Sequence, residues 1–254
     1  ALAQEPVQRS GPVTQGAPPG GAFLIDLRQG LDNTTEYLSD FDVNEEWIHM
    51  AFRDENIVFG GDGMQLQADK PDDEAGGPYT SSEFQRRGFY GYGRYEVVMR
   101  SSGAYGVVSS FFTHTDGQFG DPHSEIDFEF IGRSPQQVHL NYYTAGKDDP
   151  VNVELGFDAS KGQHLYAFEW MPDSIRWYVD GLKVREVVAA TSPVGIPSNS
   201  SRVMANTWTG NRTTESWVGT PEFETTSALY TCISHVPAGQ HGKQCSDTFV
   251  PPPR

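Results

Sequence analysis

The stretch Gly120-Asp121-Pro122-His123-Ser124-Glu125-Ile126-Asp127-Phe128-Glu129-Phe130 carries a carboxylate at every second position from 125 to 129. On an extended strand such residues share one face, while Ile126, Phe128 and Phe130 take the other and enter a core. Side chains two positions apart stand ~7 Å from one another. Three acids crowded this way raise at least one pKa, which leaves a protonated acid beside an ionised carboxylate. That pairing cleaves acetals, glycosidic bonds among them: the acid protonates the departing oxygen while the carboxylate assists at carbon. Glu125 and Glu129 lie ~13 Å apart at Cα on a strand. Only long side chains leaning together bring their carboxyls to the ~5.5 Å spacing of a retaining enzyme. A Ca²⁺ site and a solvated polar face are the alternatives, and the aromatic neighbouring segments argue against the second.

Strands must position these acids, and the chain is rich in them. Period-two alternation marks Tyr95 to Arg100, Val107 to Thr113, Ile126 to Ile131, Val138 to Tyr143, His164 to Trp170 and Val203 to Trp208. Ile175 to Val179 and Lys183 to Val188 flank Asp180-Gly181, a strong two-residue hairpin signal. Many short strands separated by Gly and Pro predict an all-β sandwich or barrel. The 254 residues suit one such domain. A net charge of −16 repels phosphate backbones and anionic lipid, so nucleic acid and membrane surfaces are excluded as partners. No apolar run reaches the ~20 residues needed to span a bilayer.

Ser124-Glu125-Ile126-Asp127-Phe128-Glu129-Phe130 resembles the signature of glycoside hydrolase family 16 in its form without a β-bulge. Phe89 to Glu96, Ser109 to Thr113, Asn141-Tyr142-Tyr143, Leu155 to Asp158, Trp177 to Gly181 and Asn206-Thr207-Trp208 resemble bacterial lichenases of that family in order and spacing, from about residue 38 to 233. The resemblance implies a β-jelly roll of two antiparallel sheets with a cleft across the concave one. It implies an endo-acting, retaining hydrolase of mixed-linkage β-1,3-1,4-glucan that needs no cofactor. Glu125 would be the nucleophile, Glu129 the acid and then the base, and Asp127 the residue that tunes both. The matching sugar-binding positions are Asn44, Glu83, Phe112, Asn141, Tyr143, Asn206 and Trp208. Trp177 reads as core; Trp217 is open to either role.

The chain departs from the lichenase pattern at several points. His123 stands where a Trp is expected, His114 where a Tyr is, and Gln85 where an Arg is; all three are carried as substrate-binding candidates. His123 is read as a sugar donor or as a partner that shifts Glu129. Met50 and Ser81 occupy the places of a cysteine pair, and Thr231 that of an Asp that helps hold a structural Ca²⁺. Pro122-His123 with Glu83-x-Gln85 resembles the branch that trims exopolysaccharides such as succinoglycan. An acidic polymer there would need His114, His123, Arg86 and Arg87 to soften the cleft. A β-1,3-glucanase, a transglycosylase on the same fold and a non-catalytic carbohydrate-binding module complete the alternatives.

The expected layout is a flexible leader over 1–21, a catalytic domain over 22–236 and a tail over 237–254. Ala1-Leu2-Ala3 reads as a cleavage remnant or an added scar, and secretion or a periplasmic location is expected of a monomer acting on polysaccharide. Cys232 and Cys245 are expected to form a disulfide. The alternative is a Zn²⁺ site made with His235 and His241.

Overall fold

The computed structural model describes residues 20–46, 48–71 and 79–253. The leader expected over 1–21 falls almost wholly outside them. The chain forms β1 (Phe23–Asp26), β2 (Glu36–Leu38), β3 (Phe41–Asn44), β4 (His49–Phe52), β5 (Ile57–Gly60), β6 (Gly63–Asp69), β7 (Thr80–Tyr90), β8 (Gly93–Arg100) and β9 (Val107–Thr115). It continues with β10 (Ser124–Ile131), β11 (Gln137–Thr144), β12 (Lys147–Asp148), β13 (Val151–Glu154), β14 (His164–Met171), β15 (Ser174–Val179) and β16 (Leu182–Val188). β17 (Ser201–Thr209) and β18 (Thr225–Pro237) complete the set. Every run read as a strand from alternation is one.

Two antiparallel sheets face each other in a β-jelly roll. The first runs β2–β7–β17–β9–β10–β11, with β12 and β13 along the far edge of β11. The second runs β5–β6–β18–β8–β14–β15–β16, and β1 continues the edge that β6 occupies on β18. The hairpin β3–β4 joins the start of β7 through a short parallel pairing. Asp180 and Gly181 turn the β15–β16 hairpin with φ of 51° and 81°, both left-handed as a tight primed turn requires.

The core lies between the sheets, where the inner faces interdigitate. Ile126, Phe128 and Phe130 of β10 are buried there, as the alternation demanded. Phe130 meets Tyr166 at 4.6 Å between ring centres, and Tyr95 stacks on Phe168 at 4.8 Å. Each such side chain contributes about 1.5–3 kcal/mol by leaving water. Trp177 is fully buried, and its indole N–H donates to the Asp127 carbonyl at 3.2 Å, pinning β10 from behind. The opposite face of the first sheet is left to line a groove.

Cys232 and Cys245 are disulfide-bonded, which removes the Zn²⁺ alternative. His235 is buried instead beside the rings of Tyr95, Tyr90 and Phe23.

Candidate active site

Strand register sets the site out as rows across the first sheet. Glu125 pairs with His114 of β9 on one side and Tyr143 of β11 on the other, and His114 pairs with Arg202 of β17. Asp127 pairs with Phe112 and Asn141; Met204 and Gln85 continue that row. Glu129 pairs with Ser110 and His139, followed by Asn206 and Glu83. Directly opposed residues of a sheet share a face, so these rows all face one groove. A slip of one residue would turn Phe128 outward and the acids into the core.

The groove encloses about 790 Å³, within the range of ligand sites. Glu125, Asp127, Glu129, Glu83, Gln85, Phe112, His114, His123, Asn141, Tyr143, Asn206 and Trp208 all line it. Asn44 does not, although its neighbours Val43 and Glu45 do. Its exposed carboxamide instead accepts from Arg212 Nη2 at 2.8 Å, because β3 places alternate residues on opposite faces. His139, Asp148, Met204 and Asp116 line the groove and were not among the candidates, and Trp217, open between core and cleft in the sequence, lines it too. Only the pairing of β10 with its neighbours, invisible in one strand's pattern, could have found His139.

The three acids hold different protonation states. Burial opposes ionisation of Glu125, but hydrogen bonds from His114 and His123, the charge of His114 and a bond from Asp127 outweigh it. Glu125 is held well below the usual carboxylate range. His114 Nδ1 lies 3.0 Å and His123 Nε2 2.8 Å from the same oxygen, Oε2 of Glu125. His123 therefore serves Glu125 and not Glu129, a correction to the sequence expectation. His114 is likewise engaged with acids rather than left free for sugar: its Nε2 faces Asp116 at 3.4 Å. Burial works against its charge, yet the bonds to Asp116 and Glu125 push it up to about 10.

Among the described residues Glu129 has no such hydrogen-bond donors; His139 Nε2 stays 3.9 Å from its Oε2. Burial, then the charge of Glu125, pushes it up to about 8. Burial and the charges of Glu125 and Glu129 push Asp127 well up, and it is the donor toward Glu125. At neutral pH the face thus carries an ionised Glu125 and a protonated Glu129, with Asp127 displaced toward its protonated form. About a fifth of the Glu125 and Glu129 side chains stays open to the groove, so both can reach a ligand.

A second polar cluster lies along the groove. Glu83 accepts from Ser39 Oγ at 2.7 Å, Gln85 Nε2 at 2.8 Å and Asn206 Nδ2 at 3.4 Å, and burial raises its pKa. Gln85 in turn accepts from Arg202 Nη1 at 2.9 Å. Arg86 is paired with Glu36, and the Arg87 guanidinium lies over the Tyr37 ring, so neither softens the groove. At the other end Trp208 and Trp217 stand 6.1 Å apart, and Trp217 meets His139 at 5.3 Å.

Thr231 does not suit a Ca²⁺. Its neutral hydroxyl is spent on the Gln163 side-chain oxygen at 2.7 Å, where Ca²⁺ favours carboxylates.

This geometry, paired carboxylates of opposite protonation in an aromatic-walled groove of a jelly roll, defines a glycoside hydrolase. The profile of glycosyl hydrolases family 16 matches residues 44–226, and the chain belongs to that family. A β-glucanase of Paenibacillus polymyxa is 37% identical over 74% of this chain and 76% of its own length. The structure of Bacillus licheniformis β-glucanase superposes with a TM-score of 0.78 at 32% identity, covering 85% of this chain and 98% of that one. A β-1,3-1,4-glucanase (lichenase) derived from a mouse hindgut metagenome also superposes with a TM-score of 0.78, at 31% identity, covering 86% of this chain and 100% of that one.

Proposed function

We propose that this enzyme is an endo-acting β-1,3-1,4-glucanase that works by double displacement with retention at the anomeric carbon. Glu125 attacks that carbon while Glu129 gives its proton to the departing glycosidic oxygen. The glycosyl–Glu125 ester is then opened by water, whose proton returns to Glu129. Asp127, protonated between them, stabilises the carboxylate form of Glu125 by donating to it. Trp208, Trp217 and Tyr143 offer flat faces to pyranose rings, and Asn141, Asn206 and Glu83 offer polar groups to hydroxyls.

The observation that carries the substrate class is the charge of the groove. Among the described residues its lining includes seven acids and no Lys or Arg; even with Asp127 and Glu129 holding protons, five acids remain against His114, His123 and His139. A polyanionic exopolysaccharide meets a repulsive field there, whereas a neutral glucan does not. The relatives named β-glucanase agree with a neutral polymer. The disulfide suits an exported protein, and among the described residues no helix is long and apolar enough to cross a membrane.

The test is a panel of lichenan, barley mixed-linkage glucan, laminarin and succinoglycan, with product linkage and anomeric configuration followed by NMR. Expected is internal cleavage of the two mixed-linkage polymers with β-anomers formed first. Cleavage of succinoglycan alone, or α-anomers as first products, would overturn the proposal.

A further inference from the structure

The groove gathers two imidazoles on one oxygen of the proposed nucleophile, more nitrogen donors than a hydrolase carboxylate needs to stay ionised. Donor atoms of His114, His123 and Glu125 lie within 4.8 Å of one another. The two histidine nitrogens converge on one oxygen of Glu125, at 3.0 and 2.8 Å. Two imidazoles and a carboxylate are ligands for first-row divalent ions of borderline softness, and the same trio holds catalytic zinc elsewhere. Zn²⁺ binds such atoms at about 2.0–2.2 Å, which sets them roughly 3.3 Å apart in a tetrahedron. The two histidine–carboxylate separations are already close to that. The rings, 5.3 Å apart at their centres, need only close toward each other.

Two independent features point the same way. Metal-ligating histidines hold their second ring nitrogen against a carboxylate, and His114 Nε2 faces Asp116 at 3.4 Å. The His123 ring is stacked on Tyr143 at 4.4 Å, which fixes its plane while leaving about a third of the side chain open to the groove. Water can fill a remaining coordination position from that open side.

We propose that His114, His123 and Glu125 bind a divalent transition-metal ion, Zn²⁺ foremost, and that the bound ion blocks hydrolysis by occupying the nucleophilic oxygen. The inhibitory half rests on Glu125 being the nucleophile; the binding half does not. No bond of the substrate is involved. On binding, His114 gives up its Nδ1 proton and keeps the one on Nε2, toward Asp116. His123 moves its ring proton from Nε2 to Nδ1. Mg²⁺ and Ca²⁺, which select oxygen donors, do not bind here.

The experiment is calorimetric titration of the full chain with ZnCl₂ and, separately, MgCl₂, alongside His114→Ala, His123→Ala, Asp116→Asn and the groove-external control His241→Ala. Circular dichroism establishes that each variant is folded; if an alanine variant is not, His123→Gln carries the same expectation. Expected is one Zn²⁺ per chain, at least tenfold weaker binding in either histidine variant, about tenfold weaker in Asp116→Asn, and unchanged binding in His241→Ala. Zn²⁺ should also abolish glucan hydrolysis, with recovery on adding EDTA. No Zn²⁺ binding, or equal affinity in wild type and both histidine variants, would overturn the site. Binding at the site with hydrolysis unaffected would overturn the inhibitory half. A chain that binds Zn²⁺ as expected but cleaves no glucan would leave the site standing and count against the proposed function.

Discussion

His123 Nε2 lies 2.8 Å from Oε2 of Glu125, two residues further along the chain. The imidazole occupies the place where the lichenase pattern has an indole, so a ring that can both donate and accept replaces one that only donates beside the proposed nucleophile. His114 closes on the same oxygen from the neighbouring strand. Both contacts favour the ionised carboxylate, and together with Asp127 they overcome the burial that opposes it. A tight grip of this kind keeps Glu125 charged well into acid, and it also costs some nucleophilicity because the attacking oxygen is hydrogen-bonded.

Removing a donor should therefore move the acid limb of the rate profile. Glu125 must be ionised to attack, and its pKa is lowered in the folded enzyme, so activity is lost only as pH falls through that low value. In His114→Gln or His123→Gln the carboxyl pKa rises, and the acid limb of kcat/KM should shift up by about one unit or more. The larger shift is expected for His114, which brings charge as well as a bond. A profile measured on soluble β-glucan from pH 2 to 9 decides it: an acid limb that enters this range in the variants and not in wild type supports the role, and variants as flat as wild type on the acid side would rule it out.

The alkaline limb belongs to Glu129. Its pKa of about 8 is raised by burial and by the charge of Glu125, so the proton it must donate is present below pH 8 and lost above it. Wild-type kcat/KM should accordingly fall to half near pH 8. Glu129→Gln should lose about 10²–10⁴-fold on polymer. On an aryl glycoside whose phenolate leaves unaided, the variant should form the glycosyl-enzyme with no limb near pH 8. Persistence of that limb would assign it to another group.

The face carrying Glu125, Asp127 and Glu129 was legible because alternation within one strand needs no knowledge of its neighbours. So was an all-β sandwich or barrel, from the alternating runs of β8 to β11 and β14 to β17; the jelly roll itself came from the resemblance. What lies beside β10 was not legible. The pairing of Glu125 with His114 and of Glu129 with His139 depends on register between strands distant in sequence or joined by turns. His139 was missed for this reason; His123, read as a sugar donor or a partner of Glu129, reaches Glu125 two residues on through its own side-chain conformation, which no pattern encodes. The short early strands gave no pattern to read: β2 has three residues and β3 four, and Asn44 at the end of β3 was placed in the groove by resemblance while the fold turns it outward.

Trp217 tests the groove as a sugar surface. It sits on the short helix Glu215–Val218, lines the groove, meets His139 edge-on and lies tilted against Trp208. An aromatic face contributes about 0.5–1.5 kcal/mol beyond burial. Trp217→Ala should raise KM on β-glucan by roughly 2–10-fold. The neighbouring Trp208 packs with Ile48, Phe52, Val108 and Val218, so it is the poorer choice for this test. Unaltered KM together with a large fall in melting temperature would make Trp217 a packing residue only.

The disulfide should stabilise the enzyme without touching its chemistry. Cys232 lies on β18 and Cys245 in the turn Cys245–Asp247, where it packs with Val98 and Leu165; both strands involved belong to the sheet that does not carry the acids. The bond spans a sequence separation of 13, and a loop of that size restricts the unfolded chain by roughly 3 kcal/mol at 25 °C. For a domain of this size each kcal/mol corresponds to roughly 2–4 °C, so the melting temperature should fall by about 6–12 °C in Cys232→Ala/Cys245→Ala. Reduction of wild type with dithiothreitol should give a similar fall, since both act on the same unfolded ensemble. The rows of Glu125, Asp127 and Glu129 are held by pairing with β9 and β11, which the bond does not reach. Hence kcat/KM at 25 °C should stay within about twofold of wild type in the double variant. Scanning calorimetry with parallel rate measurements separates the two effects: a stability loss under 2 °C would dismiss the entropic role, and a large rate loss at 25 °C with the fold intact would show that the two sheets are coupled.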